Sequence, residues 1–197
     1  TTFTTVNVLI NDSDIDGDTL TVSHLDTTGT LGLVTNNEDG TFNYNPNGQF
    51  ESLAAEETVT DSFSYTISDG NGGTSTATVT VTVTGVNDAP ILTPVSKIGD
   101  EDTAIQFTAT DFTQAFNDPE GSSLNQITII SLPNNGLLNV NGNAVQPGDE
   151  IPVAQLDNLS FTPDANFHGS TSFAWNASDG TLFASGTTVN LTVNPIN

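Results

Sequence analysis

The sequence predicts an all-β protein built as two tandem β-sandwich domains. Three observations carry this. Val, Ile, Phe and Tyr recur at every second position in several stretches, the period of a strand with one buried face. Thr, Val, Asn, Gly and Asp dominate while Lys+Arg total 1, a composition that favours strands and tight turns over helices. The two halves also repeat. Phe63, Tyr65, Asp69, Gly70, Val79, Val81, Val83 and Asn87 correspond, at a constant shift, to Phe173, Trp175, Asp179, Gly180, Val189, Leu191, Val193 and Asn197.

In the first half, residues 3–10 place Val6, Val8 and Ile10 on one face of a first strand, and Leu20 and Val22 open the next. Short strands are expected at 31–34 and 41–44 around the turn Asn36-Asn37-Glu38-Asp39-Gly40, and one helical turn at 53–57. Residues 61–68 point Phe63, Tyr65 and Ile67 inward. Asp69 to Gly73 turns the chain, and 74–84 alternates Ala77, Val79, Val81 and Val83 with threonines. Pro90 ends that pattern, because proline cannot continue a ladder, so the domains are expected to be 1–88 and 89–197.

The second half opens with a strand through Ile105, Phe107 and Ala109, followed by a long loop at 111–123. Strands are expected near 125–131, 136–140 and 144–146, with Asn141-Gly142 as a two-residue hairpin turn. Leu159 and Phe161, then Phe173, Trp175 and Ala177, then Val189, Leu191 and Val193 face inward on three more strands. Each half thus reads as a sandwich of about seven strands.

The formal net charge is −23, and cysteine is absent. Phosphate recognition needs Lys and Arg, so nucleic acid is excluded as a partner, and anionic lipid surfaces are disfavoured. No apolar run approaches the ~18 residues of a membrane span, so no membrane insertion is expected. Without disulfides, stability rests on the core and on metal. His24 and His168 are the only histidines, and neither has the sequence context of a nucleophile or base, so no enzyme activity is expected. The opening Thr1-Thr2-Phe3 reads as the middle of a repeat, with the first domain's leading segment truncated and the chain part of something longer.

The acidic loops carry the chemistry. Asp12, Asp14, Asp16 and Asp18 alternate through one loop that also holds Gly17. Two unit charges about 6 Å apart repel by roughly 0.7 kcal/mol even in bulk water. With almost no basic side chains, the compensating cation must come from solution, and hard oxygen ligands suit Ca2+. Asp12, Asp14, Asp16 and Gly17 fit positions 1, 3, 5 and 6 of an EF-hand loop, but position 12 is Ser23 and the flanks are strands, so the missing ligands must come from elsewhere. Strand direction assigns the ends. Loop 12–18 is expected beside Asn87 and Asp88, with Asp179, Glu101 and Asp102 at the same boundary. Asp118 and Glu120, which match Asp14 and Asp16, are expected at the opposite end of the second domain, and Asp69 at the far end of the first.

The run Asn-Asp-x-Asp-x-Asp-Gly-Asp-x-Leu at 11–20, Ser-Phe-x-Tyr-x-Ile-Ser-Asp-Gly-x-Gly-Gly at 62–73 and Val-Asn-Asp-Ala-Pro at 86–90 resembles bacterial cadherin-like repeats of the VCBS type. Such repeats recur in large surface adhesins of the repeats-in-toxin (RTX) class. Phe-Thr-Pro-Asp-Ala-Asn-Phe-His-Gly at 161–169 with Ser-Asp-Gly at 178–180 is similar to a sister type. Ala89 departs from the linker of animal cadherins, Asp-x-Asn-Asp-Asn. The resemblance implies Ig/cadherin-like Greek-key sandwiches and calcium at domain junctions. It also implies a secreted or bacterial cell-surface location and roles in cell adhesion and biofilm. The expected function is a calcium-rigidified tandem repeat region of an adhesin. Its expected partners are neighbouring repeats of the same chain and a surface glycan or protein. Two alternatives stand beside it. One is a sugar- or peptide-binding module at an adhesin tip, using Phe112 and Phe116 in loop 111–123; the other is spacer domains of a secreted hydrolase.

Overall fold

A computed structural model describes residues 1–196, so Asn197 of the repeat alignment lies outside the described residues. The chain divides into two compact units, Thr1–Val86 and the residues from Asn87 onward. The division falls two residues ahead of the expected one, which places Asn87 and Asp88 in the second unit.

Unit 1 has two three-stranded antiparallel sheets. The first is ordered β1 (Phe3–Thr4), β4 (Phe42–Asn45), β3 (Leu33–Asn36); the second is β2 (Thr21–Asp26), β5 (Thr58–Ser68), β6 (Thr74–Thr84). Val34, Phe42, Tyr44, Phe50, Phe63, Tyr65 and Val81 form the core. The strand expected over 3–10 shortens to Phe3–Thr4. Asn7 diverts the backbone: its carbonyl accepts from Ile10 N–H and its side chain from Leu9 N–H at 2.8 Å, a local alternative to a ladder. Val6 and Ile10 are consequently exposed. At 53–57 the expected helical turn is replaced by tight turns, with Leu53 N–H on Phe50 O and Glu57 N–H on Ala54 O.

A carboxylate sits in this core. Asp61, 5% exposed, shares the inward row of β5 with Phe63 and Tyr65. Its oxygens accept hydrogen bonds from the Tyr44 hydroxyl at 2.6 Å and from the N–H groups of Gly32 at 2.9 Å, Leu31 at 3.0 Å and Ser62 at 2.9 Å. Burial acts to raise its pKa, but these donors outweigh burial and hold the carboxyl below its ordinary range. The contact ties the loop before β3 to the opposite sheet. Residue 32 must be glycine there, because a Cβ would lie 2.5 Å from the Tyr44 ring.

Unit 2 has a five-stranded sheet ordered β14 (Glu150–Pro152), β11 (Gln126–Ile129), β16 (Gly169–Ser178), β17 (Thr187–Asn194), β8 (Val95–Asp100). A four-stranded sheet, β13 (Asn143–Ala144), β12 (Gly136–Val140), β15 (Leu159–Pro163), β9 (Ile105–Gln106), packs against it. Trp175, Phe107, Phe112, Phe161 and Phe173 centre a core that also takes in Ile127, Leu138, Val189 and Leu191. Every pairing is antiparallel except that of β8, which runs parallel to β17 from Val95↔Val189 to Asp100↔Asn194. A separate two-stranded pair joins β7 (Ile91–Leu92) to β10 (Phe116–Asn117).

The stretch after Ile105 differs from expectation. The strand through Ile105 stops at Gln106, and a short helix, α1 (Ala109–Thr113), follows. Thr108 opens it in a capping box with Asp111, whose carboxylate also receives Lys97 Nζ at 2.8 Å. This helix turns Phe112 into the core at 0% exposure, stacked edge-on against Trp175, so it presents no exposed ring for a ligand. Phe116, on β10, packs against the same core. Asn141 and Gly142 do adopt left-handed φ values of 52° and 77°, the geometry of a two-residue hairpin.

Candidate metal centre

Backbone pairing gathers the acidic groups of unit 2 at one end. β10 lies antiparallel to β7, with Asn117 opposite Ile91, so the loop leaving Asn117 returns to residues 87–90. β16 ends beside the start of β11, with Ser178 opposite Gln126, and brings Asp179 to the same end. Asn87 Nδ2 donates to Asp179 Oδ2 at 2.9 Å, and Asp88 N–H donates to Glu120 Oε1 at 3.0 Å. Asp118 Oδ1 accepts from Ser122 N–H at 2.8 Å. Asp179 Oδ1 accepts from the N–H groups of Thr181 and Leu182. Burial acts to raise the Asp179 pKa, but the Asn87 amide and these backbone donors prevail and keep it below the usual carboxylate range.

Two oxygens have no donor. Asp118 is 8% exposed, and its Oδ2 is buried without a hydrogen-bond partner, as is Glu120 Oε2. An unpartnered buried carboxylate oxygen is costly. Lys97, the one Lys/Arg side chain, is already bonded to Asp111. Asp118, Glu120, Asp179, Asn87 and Asp88 offer oxygen ligands alone, the donor set of a hard cation such as Ca2+. Among the described residues, no group of three or more His, Cys, Asp or Glu side chains is placed to hold a metal ion. Amide, backbone and water oxygens would have to complete any coordination sphere here, as is usual for calcium.

Unit 1 holds a second acidic group. Asp14 Oδ1 accepts from the N–H groups of Asp16 at 2.8 Å and Asp18 at 3.1 Å, an aspartate turn that shapes the loop. Asp69 Oδ1 shapes the β5–β6 turn likewise, accepting from Asn71 N–H at 2.7 Å and Gly73 N–H at 3.0 Å. Asn71 Nδ2 reaches Asp18 Oδ2 at 2.8 Å and joins the two loops. Asp12, Asp14 and Asp69, with Ser13, Ser68 and Ser75, line an open cavity of about 280 Å³. Asp16 does not line it.

Three expected placements are corrected. Loop 12–18 stands beside Asp69, at the end of β5 and β6 away from Thr84, and not at the end that leads to Asn87 and Asp88. The reason is that β2 begins at Thr21 opposite Ser68, and no long first strand carries the chain across the unit beforehand. Glu101 and Asp102 lie at the end of unit 2 where β17 finishes: Glu101 N–H donates to Asn194 O, and Glu101 Oε1 accepts from Ile196 N–H at 2.8 Å. Asp102 Oδ1 accepts from Asn166 N–H at 2.9 Å. Parallel pairing of β8 with β17 carries them there. Asp118 and Glu120 occupy the end assigned to Glu101 and Asp102, beside Asn87, Asp88 and Asp179. His24 lies exposed on β2, and His168 Nδ1 is 3.7 Å from Glu101 Oε2. Sequence reasoning passed over Asp61; the available signal was a charged residue in an inward row.

A model of the bacterial cadherin-like domain matches residues 1–85, and a model of the cadherin-like domain matches residues 86–194. The chain belongs to the cadherin-like family. No curated protein matches it. Among solved structures, these cadherin-like domains are similar to mouse cadherin-23 repeats EC22-24 at TM-score 0.47 and 15% identity, covering 94% of this chain and 56% of that one. Drosophila N-cadherin EC1-4 gives TM-score 0.46 and 15% identity over 93% of this chain and 44% of that one. An endo-fucoidan hydrolase of glycoside hydrolase family 107 gives TM-score 0.36 and 20% identity over 92% of this chain and 24% of its own length. The cadherin-like pair thus spans only a part of each of these proteins.

Proposed function

We propose that the chain is a calcium-binding, non-catalytic repeat region of a secreted or cell-surface adhesin of the RTX class, serving as a spacer that stiffens when calcium binds. The single observation that supports this most strongly is the pair of buried, partnerless oxygens, Asp118 Oδ2 and Glu120 Oε2, grouped with Asn87, Asp88 and Asp179. A divalent cation there would offset the charge of Asp118 and Glu120 and give their unpartnered oxygens a positive partner. It would also pin residues 87 and 88, the segment entering unit 2, to the loops after β10 and β16. Asp12, Asp14 and Asp69 offer a comparable oxygen set in unit 1. Among the described residues, no helix is long and apolar enough to cross a membrane. The millimolar calcium outside cells matches the affinity range of extracellular oxygen-ligand sites.

The test is calorimetric titration of chelator-treated protein with calcium, combined with limited proteolysis of residues 85–92. Binding is expected in the micromolar to millimolar range, with cleavage in that segment suppressed by calcium. Absence of heat, and cleavage indifferent to calcium and chelator, would overturn the proposal. The adhesin role is tested separately, by whether deleting these residues from the full-length protein weakens calcium-dependent attachment of cells.

A further inference from the structure

Unit 1 holds a cavity on a side of its sandwich that unit 2 fills. β11 and β12 of unit 2 take the places of β2 and β3. The chain leaving β12 returns along β11 as β14, with Ile127 opposite Ile151, and then forms a 3₁₀ helix, Val153–Asn158. That excursion puts Ile151 and Leu156 into the core. In unit 1, residues 37–41 alone join β3 to β4, and β2 and β3 are the outermost strands of their sheets, opposite β6 and β1. A cavity of about 580 Å³ opens there, and Leu9, Leu20, Val22, Asn36, Glu38 and Asp39 are among the residues that line it. Its volume falls in the range of ligand pockets.

Two chemistries meet in this cavity. Leu9 and Leu20 are half-buried yet lie outside the packed core, and Val22 joins them from β2. By contrast Leu124, spaced from Glu120 as Leu20 is from Asp16, is buried in the core of unit 2. The β3–β4 turn adds two carboxylates, and its shape is held from within. Asn36 Oδ1 accepts from Glu38 N–H at 2.9 Å, and Asp39 Oδ1 accepts from the Thr41 hydroxyl at 2.6 Å and from Thr41 N–H at 2.9 Å. Asn7 Nδ2 donates to the Asp39 carbonyl at 3.0 Å. The Thr41 donors hold Asp39 below the usual carboxylate range. No Lys or Arg of the chain answers these carboxylates, because Lys97, the one such side chain, is bonded to Asp111 in unit 2.

We propose that this cavity receives one lysine or arginine side chain of a partner polypeptide, its alkyl stem along Leu9, Leu20 and Val22 and its cationic head at Glu38 and Asp39. Long basic side chains cover apolar surface with their stems while the charge stays near water, and a cation bonded to a carboxylate makes the stronger class of hydrogen bond. The formal charge of −23 repels an anionic ligand and draws a basic one. A free polyamine is charged at both ends, and its second ammonium would lie against the aliphatic wall at a desolvation cost. The inference stands on unit 1 alone and does not depend on metal binding.

The test follows amide chemical shifts of the full 197-residue chain, with calcium present, at about 0.15 M salt to screen diffuse attraction. The ligands are lysine blocked as an amide at both backbone ends, norleucine blocked the same way, and spermidine. Blocked lysine is expected to give saturable shifts confined to residues 9, 20–23 and 36–40. Norleucine, which keeps the stem and lacks the charge, is expected to bind about fivefold more weakly, and Glu38→Gln to weaken lysine binding about threefold. Leu20→Trp fills the cavity and keeps both carboxylates; it is expected to abolish the local shifts, with the unchanged remainder of the spectrum showing that the chain is folded. Shifts scattered over acidic residues of both units, lysine binding that survives Leu20→Trp, or spermidine binding as tightly as lysine at the same residues would each overturn the proposal.

Discussion

Replacing Asp118 by Asn should change the stability of unit 2 in opposite directions with and without calcium. Asn keeps an oxygen for Ser122 N–H and removes the charge from an unpartnered oxygen in a residue that is 8% exposed. With chelator present, relieving that unpartnered buried charge should stabilise the unit by about 1 kcal/mol. With free calcium a hundredfold above its dissociation constant, the bound ion adds about 2.7 kcal/mol to the wild-type unit, which the variant forgoes. The difference is then about 2 kcal/mol against the variant. For a unit of roughly a hundred residues this is a rise of about 4 °C in chelator and a fall of about 7 °C in calcium. Trp175 is the chain's single tryptophan and is fully buried in unit 2, so its fluorescence follows this unit alone during heating. A shift of the same sign in both conditions would refute the reasoning, because the carboxylate would then be either a plain structural acceptor or a plain liability.

The remaining predictions concern Asp61, and the two tyrosines, Tyr44 and Tyr65, report them because both lie in unit 1. Asp61→Ala strands the buried Tyr44 hydroxyl and the Gly32 N–H and should destabilise unit 1 by about 3–4 kcal/mol, read from the urea midpoint of tyrosine absorbance. A double-mutant cycle with Tyr44→Phe should give a coupling of about 1–2 kcal/mol; additive losses would show that the 2.6 Å contact carries no energy. Acid should act through the same group. The folded carboxyl is held below its ordinary value of 3.8, so its contribution is complete above that value and is lost as pH falls through the folded pKa. The unit 1 midpoint should therefore hold steady down to about pH 5 and drop below about pH 4, and the profile should flatten in Asp61→Asn.

Much of the fold was legible because burial writes itself into alternation. Phe63 and Tyr65 on β5, Phe173, Trp175 and Ala177 on β16, and Val189, Leu191 and Val193 on β17 all face inward as their spacing requires. Asn141-Gly142 names its turn. β8 was not legible, because its inward row is Val95, Lys97 and Gly99, a pattern that mimics a loop. That one omission reversed the ends assigned to Glu101 and Asp102, since only a strand parallel to β17 carries them to Asn194. In unit 1, Val6, Val8 and Ile10 have strand spacing, but the Asn7 side chain captures the backbone locally and the alternation is never used. The grouping of Asn87 with Asp179 was legible from strand direction. That of Asp118 with Glu120 beside them depends on the two-residue pairing of β7 and β10, too short to leave a period.

The same parallel strand sets how unit 2 responds to being pulled. Once the two pairs of β7 with β10 have opened, tension along the chain enters through β8, near its first residue, and leaves through β17, at its last. Because these strands are neighbours running the same way, such a force slides one along the other and loads all six paired positions together.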